Sequence, residues 1–270
     1  MNQRKFSVSS ADSAPDSAPI VLRGGIINNL KTAARLGYQG LEVHTRETAS
    51  LPYDEIADVC AEHKIAFSAL VTGRLNTQGM VSLIDDRPYI TDAAIQGLRQ
   101  YIRMAERLRT NLIIGWVRGP IPAGAAPAPY MERLAQNLRI ICEEAGERGV
   151  KVFVEVINRY EINTLTTTKE LIEFLDTWAI PNCYVHLDTF HMNIEESDPF
   201  GAIRLCGNKL GYFHVADNTR SYPGSGVLDF KRYLEVLEEV GYDGYISVEV
   251  LPGSNGEETA RKALAHLKQW

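Results

Sequence analysis

The sequence predicts an α/β protein with a single (β/α)8 barrel of the TIM type, formed by residues 1–270 as one domain. Three observations predict this fold: eight short apolar or β-branched runs, longer amphipathic segments between them, and no second block of different composition. One such barrel commonly needs about 250 residues. A doubly wound sheet is the alternative, and eight strand and helix units favour the closed barrel.

The eight predicted strands share short length and an apolar or β-branched composition. They are Lys5–Ser9, Gly40–His44, Ala66–Val71, Leu112–Trp116, Val150–Val156, Cys183–Asp188, Gly211–Ala216 and Tyr245–Leu251. The predicted helices have apolar residues three and four positions apart. They are Ile26–Leu36, Tyr53–His63, Asp92–Leu108, Tyr130–Arg148, Thr168–Trp178, Phe230–Val240 and Glu257–Lys268, with a short sixth helix near Pro199–Cys206.

Glycines stand where several helices are expected to end. Gly37, Gly149 and Gly241 each precede a predicted strand, and glycine readily adopts the left-handed conformation that ends a helix. The segments after strands are longer and rich in Ser, Ala, Gly and Pro, as in Thr72–Pro88 and Arg118–Pro129. We expect these loops at the C-terminal rim, where barrels of this type carry their active sites.

Composition excludes several classes of protein. The chain is 45% hydrophobic and 23% charged, and it contains no apolar run approaching the roughly 20 residues that span a bilayer. A net charge of −6 without a dense Lys/Arg cluster argues against a nucleic-acid partner. The N-terminus lacks the apolar stretch of a secretory signal, which predicts a cytoplasmic protein. No glycine-rich phosphate loop occurs, so a nucleotide cofactor is not expected.

The four cysteines are predicted to be free, buried, structural thiols. Cys60, Cys142, Cys183 and Cys206 lie in apolar surroundings and show no CxxC spacing.

Four ionisable residues lie at or near the C-terminal ends of successive predicted strands. They are Glu155, Asp188, His214 and Glu249. In a closed barrel these ends meet above the core, and buried charges there need a partner. Three carboxylates and one imidazole suit a divalent cation such as Mn²⁺, Mg²⁺ or Co²⁺. The alternative is that each acid ends its strand by chance and faces solvent.

The motifs around these residues resemble a known family. VEVINRYE (154–161), LDTFHMNIEE (187–196), FHVADNTR (213–220) and the following PGSG are similar to the sugar isomerase/epimerase branch of the xylose-isomerase-like barrel superfamily. The similarity is greatest to the D-tagatose and D-psicose (allulose) 3-epimerases and to 5-keto-L-gluconate epimerases. It spans the whole barrel and is most specific between Val154 and Glu249.

The resemblance implies residue roles. It implies that Glu155, Asp188, His214 and Glu249 bind one metal ion, usually Mn²⁺, and that the two glutamates are also the acid and base groups. It implies that His191 and Arg220 hold substrate oxygens and that Glu161 hydrogen-bonds close by. A keto sugar or keto sugar acid would be epimerised through a metal-bound cis-enediolate, in a homodimer or homotetramer.

The stretch Gly115–Gly119 is similar to the GxVRG of the 5-keto-L-gluconate epimerase type. Arg118 within it offers a bidentate partner for a substrate carboxylate. The alternative is a surface arginine that braces the Pro-rich loop.

Other residues have less specific interpretations. His186 is expected to pack in the core or to lie behind the metal ligands, and Glu42 and His44 could line the pocket. Trp116 fits either an apolar wall against a sugar or a position in the top of the core.

Alternative functions remain open. An aldose–ketose or hydroxypyruvate-type isomerase or an inosose dehydratase would use the same barrel and metal. Endonuclease IV shares the fold but needs three metals and a basic groove, which this acidic chain with six histidines does not indicate. A non-catalytic sugar-binding barrel would be expected to have lost a ligand.

Overall fold

The computed structural model describes residues 4–45 and 51–270. Residues 1–3, part of the N-terminal stretch considered above, lie outside the described residues. Within the described ranges, nine parallel strands form one sheet: β1 Lys5–Ala11, β2 Leu22–Arg23, β3 Gly40–His44, β4 Ala66–Val71, β5 Leu112–Ile114, β6 Val152–Glu155, β7 Cys183–Asp188, β8 Leu210–Val215 and β9 Tyr245–Val248.

Ten α-helices accompany the strands in the described residues. They are α1 Ile26–Leu36, α2 Tyr53–His63, α3 Gly73–Thr77, α4 Pro88–Leu108, α5 Pro127–Gly146, α6 Thr168–Trp178, α7 Thr189–Glu195, α8 Pro199–Cys206, α9 Phe230–Glu239 and α10 Gly256–Leu267.

The sheet closes into an eight-stranded barrel. β1 pairs with β3 on one side and with β9 on the other, in a register that places Lys5 opposite Tyr245 and Val8 opposite Val248. The two-residue strand β2 is an addition that pairs only with the end of β1. The predicted single (β/α)8 barrel is therefore confirmed.

The apolar core has two parts. The larger lies between the strands and the surrounding helices, where α4, for example, buries Leu98 and Ile102. The smaller lies inside the barrel and consists of Ala69, Val71, Ile113, Phe153 and Tyr212. Each large apolar side chain buried in this way stabilises the fold by about 1.5–3 kcal/mol. The ligand-bearing strand ends lie above this inner core.

The predicted glycine caps are confirmed. Gly37, Gly149 and Gly241 have φ angles of 95°, 69° and 70°, within the left-handed region. At the other end of a helix, Thr167 and Glu170 form a reciprocal capping box at the start of α6.

Several predicted boundaries are wrong for local reasons. The fourth barrel strand ends at Ile114, because the chain turns at Gly115 into a 3₁₀ turn over Trp116–Arg118. Helices α4 and α5 begin earlier than predicted, and each has a proline in its first turn, where a missing N–H costs no intrahelical bond. The short helices α3 and α7 were not predicted.

The cysteine prediction is correct in part. All four thiols are free, and Cys142 and Cys206 are buried. Cys60 and Cys183 are only half-buried. In the described part of the chain, no helix combines the length and the apolar character needed to cross a membrane.

Candidate metal centre and active site

The four predicted ligands converge at the C-terminal end of the barrel. Glu155 ends β6, Asp188 ends β7, His214 lies in β8 and Glu249 directly follows β9. One ligand atom from each lies within 4.8 Å of the others, and all four side chains are buried. Parallel register produces this convergence, since Asp188 is directly opposite His214. The alternative, in which each acid ends its strand by chance and faces solvent, does not fit this arrangement.

The imidazole of His214 directs its Nδ1 toward the three carboxylates of this group. Its Nδ1 lies 3.4 Å from Glu249 Oε2, 3.7 Å from Asp188 Oδ2 and 4.0 Å from Glu155 Oε1. This fully buried nitrogen makes no hydrogen bond among the described residues. A buried nitrogen left without a hydrogen bond and surrounded by three carboxylates fits a divalent cation in its donor chemistry.

The carboxyl group of Glu155 is unusually basic. Burial, followed by the nearby charge of Glu249, raises the pKa of Glu155 to about 8. Gly115 makes room for this group, since a Cβ there would lie 2.8 Å from Glu155 Oε2. A pKa near neutrality is the property that a general acid or base needs.

Arg220 bridges two of the candidate ligand carboxylates. Its guanidinium donates to Asp188 Oδ2 and to Glu249 Oε2. The Arg220 backbone has a φ of 60°, a conformation that is uncommon outside glycine and that needs support from its surroundings. Leu251 N–H donates to the Arg220 carbonyl at 2.9 Å, which ties this turn to the chain beyond β9.

Asp217 organises the loop that carries Arg220. This buried carboxylate accepts backbone hydrogen bonds from Gly224, Gly226 and Leu228, at 2.8–3.2 Å. The PGSG segment is therefore folded around a carboxylate. Asp217 lies within the FHVADNTR motif, but the local sequence indicates no role for it.

His191 and Glu161 lie on one side of the ligand group. His191 Nε2 is 3.7 Å from Glu155 Oε1, and Asn158 Nδ2 lies 2.7 Å from His191 Nδ1 and 3.0 Å from Glu161 Oε1. Burial lowers the pKa of His191 to about 4, so its ring is neutral. If Nδ1 accepts from Asn158, the ring proton is on Nε2 and points toward Glu155. Asn158 was not recognised from the sequence.

Arg118 is not placed with the other substrate-binding candidates. Its guanidinium is completely buried and donates to the Glu155 carbonyl at 2.6 Å and to the Thr164 carbonyl at 3.0 Å. These donors are directed at the chain itself, which does not support the predicted contact with a substrate carboxylate. The alternative of a surface arginine is wrong as well. Arg118 joins the turn after β5 to the segment after β6.

Three further polar residues lie behind the ligands. Glu42 Oε2 is 2.6 Å from His214 Nε2, and Glu42 Oε1 is 3.0 Å from His44 Nε2. The ring of His186 meets that of His214 edge to face, with centroids 4.2 Å apart. His186 is completely buried, as expected, whereas Trp116 is partly exposed on its 3₁₀ turn.

The sequence profile described as xylose isomerase-like TIM barrel matches residues 30–270, and the chain belongs to that family. A ketose 3-epimerase from Arthrobacter globiformis is 28% identical over 232 residues, which cover 85% of this chain and 79% of that enzyme. A 3-dehydro-D-guloside 4-epimerase from Escherichia coli is 25% identical over 255 residues, which cover 90% and 94% of the two chains.

The structural comparison agrees with the sequence comparison. An L-ribulose 3-epimerase superimposes with a TM-score of 0.85 at 21% identity, over 99% of this chain and 95% of that one, and so shares the fold. The relatives named here are epimerases, which are enzymes of the isomerase class. The resemblance to sugar epimerases inferred from the motifs is therefore confirmed.

Proposed function

We propose that this chain is a metal-dependent epimerase of a keto sugar or keto sugar acid. The observation that carries the proposal is the convergence of Glu155, Asp188, His214 and Glu249, with the orphan Nδ1 of His214 facing the three carboxylates. The similarity to a ketose 3-epimerase over most of both chains supports the same function.

The reaction requires removal of a proton from a carbon beside a ketone. Such a proton is weakly acidic, and a divalent cation held by these ligands supplies the positive charge that stabilises the developing oxyanion. Glu155 ends β6 and Glu249 directly follows β9, so the two carboxylates reach the candidate metal site from different strands. One glutamate removes the proton from one face of the carbon, and the other delivers a proton to the opposite face.

The neighbouring residues have positioning roles in this proposal. The neutral Nε2–H of His191 donates to a substrate oxygen beside Glu155, and Glu161 shares Asn158 with it. Arg220 holds a second substrate oxygen near Asp188 and Glu249. Arg118 holds the backbone of Glu155 in place. We propose Mn²⁺ as the working cation and a homodimer or homotetramer as the assembly.

A second candidate is epimerisation of a 3-keto-glycoside at C4, the carbon beside its C3 ketone. The similarity to a 3-dehydro-D-guloside 4-epimerase extends over 94% of that enzyme. Tyr160, which is 82% exposed and directly precedes Glu161, offers an aromatic surface for a second ring. The two candidates use the same metal and the same pair of glutamates.

The test is incubation of metal-stripped protein, with and without Mn²⁺, with D-fructose, D-tagatose, L-ribulose, 5-keto-L-gluconate and a 3-keto-glucoside. Products are identified by NMR and chromatography. We expect a new epimer only when Mn²⁺ is present. Metal-dependent formation of an aldose instead would indicate an isomerase, and a dehydrated product would indicate a dehydratase. No conversion of any of the five compounds would contradict the proposal.

A further inference from the structure

We infer that Glu42 is a positioning residue that selects which nitrogen of His214 faces the metal, and that it acts through His44 on Glu249 as well. The inference rests on the metal centre of the proposed function. It assigns to β3 a part in a site whose four ligands come from the distant strands β6 to β9.

Glu42 projects into the barrel interior and is completely buried. Its Oε2 lies 2.6 Å from His214 Nε2, although β1 and β9 separate β3 from β8 around the barrel. A carboxylate accepts hydrogen bonds and does not donate them, so His214 Nε2 must carry the proton. When a cation displaces the second ring proton, the lone pair of the neutral ring is then on Nδ1, the atom that faces the three candidate ligand carboxylates.

The two aromatic contacts of this ring hold its plane without distinguishing its nitrogens. His186 and Tyr212 pack against it at interplanar angles of 87° and 74°, with centroids 4.2 and 5.4 Å away. Such contacts allow a half-turn about the Cβ–Cγ bond, which exchanges ring carbon and nitrogen positions. Glu42 favours the observed orientation, because it accepts a hydrogen bond from Nε2 that a turned ring, with a carbon in that place, cannot donate.

The second carboxylate oxygen of Glu42 helps to position Glu249 through His44. Glu42 Oε1 is 3.0 Å from His44 Nε2, and that nitrogen lies 3.5 Å from Glu249 Oε1. His44 therefore lies between one carboxylate at the back of the site and one that is a metal ligand. Removing Glu42 frees both rings, so it should disturb the site in two places.

The first experiment measures Mn²⁺ affinity from the EPR signal of the free ion. Outer residues of this kind typically change metal affinity about 10–100-fold, and we expect that increase in Kd for Glu42→Leu. Glu42→Gln keeps an acceptor for His214 but presents an NH₂ group to His44. Its Mn²⁺ affinity should therefore fall less than that of Glu42→Leu. Ser68→Ala is the control, because it removes a buried polar group from the barrel interior whose hydrogen bonds are made with Ser7 and Tyr212 and not with His214.

The second experiment identifies the coordinating nitrogen directly. In protein with ¹⁵N-labelled histidine loaded with ¹¹³Cd²⁺, we expect one-bond coupling between cadmium and His214 Nδ1 in the wild type and in Ser68→Ala. In Glu42→Leu the coupling should move in part to Nε2 or disappear. A role for Glu42 in folding alone would lower stability without changing the coordinating nitrogen.

Wild-type affinity together with Nδ1 coordination in both Glu42 variants would overturn the inference. Should Glu42→Leu fail to fold, Glu42→Gln decides the question on the same two measurements. Because neither experiment contains a sugar, a wild-type protein that binds Mn²⁺ but converts no sugar would refute the proposed function alone. A wild-type protein that binds no divalent cation would refute both.

Discussion

Gly115 faces the carboxylate of Glu155 so closely that a Cβ at this position would lie 2.8 Å from Glu155 Oε2. Real Cβ atoms essentially never approach an oxygen so closely, so any other residue at 115 must move Glu155 or its own backbone. The glycine thus contributes to the site by leaving space beside one of the two proposed acid/base groups.

We predict that Gly115→Ala lowers kcat about 10–100-fold and weakens Mn²⁺ binding, because a displacement of about 1 Å at a reacting group has effects of this size. Gly73→Ala is the control, since a Cβ there meets nothing within 4 Å and the residue lies in a helix. Steady-state kinetics and Mn²⁺ titration would check the prediction. Equal activity of the two variants would show that Glu155 does not need this space.

We predict that metal binding releases protons. Burial and Glu249 raise the pKa of Glu155 to about 8. Burial opposes protonation of His214, but the charges of Glu42 and Glu249 outweigh it and raise the His214 pKa well above its usual value. Both groups therefore carry a proton in the metal-free protein at pH 7, and the cation must displace both.

Calorimetric titration of Mn²⁺ in buffers of different ionisation enthalpy should show release of roughly two protons per ion at pH 7. The apparent Mn²⁺ affinity should weaken as the pH falls below about 8, because protons then compete more strongly with the cation for Glu155 and His214. An affinity that does not change between pH 6 and pH 8, with no proton released, would contradict this description of the ligands.

Arg118 provides a prediction about substrate choice. Its donors are used by the carbonyls of Glu155 and Thr164, so Arg118→Met should lower activity on acidic and neutral ketoses by similar factors. The buried carbonyls left without donors should also reduce the free energy of unfolding by about 2–4 kcal/mol. Denaturant unfolding and paired kinetics would check both effects. A loss of activity confined to acidic ketoses would support the predicted contact between Arg118 and a substrate carboxylate.

The loop around Asp217 provides another prediction. A Cβ at Gly226 would lie 2.1 Å from Asn218 Oδ1 and 2.4 Å from Asp217 Oδ1, so Gly226→Ala must open the turn. We expect KM to rise about tenfold, because Arg220 is held on the same loop. Ser225→Ala, at an exposed neighbouring position, should remain close to wild type. Similar KM values in both variants would argue against this support of Arg220.

The fold was predictable because the strand ends and helix faces follow short-range patterns. The convergence of the four candidate ligands was predictable for the same reason: each lies at or near the end of an apolar strand, and barrel closure brings them together. Predicted element boundaries were wrong where single residues change the path of the chain, as at Gly115 and at the prolines that begin α4 and α5.

The supporting residues were harder to predict because their roles depend on contacts across the barrel. Glu42 contacts His214 over a separation of 172 residues, and nothing in the local sequence indicates which carboxylate meets which ring. Arg118 resembles a surface residue in a Pro-rich stretch, yet the turn after β5 carries it inward to carbonyls that appear only in the folded chain.

The most direct test of the central claim is deuterium exchange in D₂O by the Mn²⁺-loaded wild type, Glu155→Gln and Glu249→Gln, with metal content measured for each. The substrate is the best ketose from the panel, supplied separately as each epimer. The account predicts that the wild type exchanges and epimerises both epimers. Each metal-loaded variant should convert neither epimer into the other. Each should exchange the proton of only one epimer for deuterium, and that epimer should differ between the two variants. Full epimerisation by either variant at full metal content would contradict the two-glutamate mechanism.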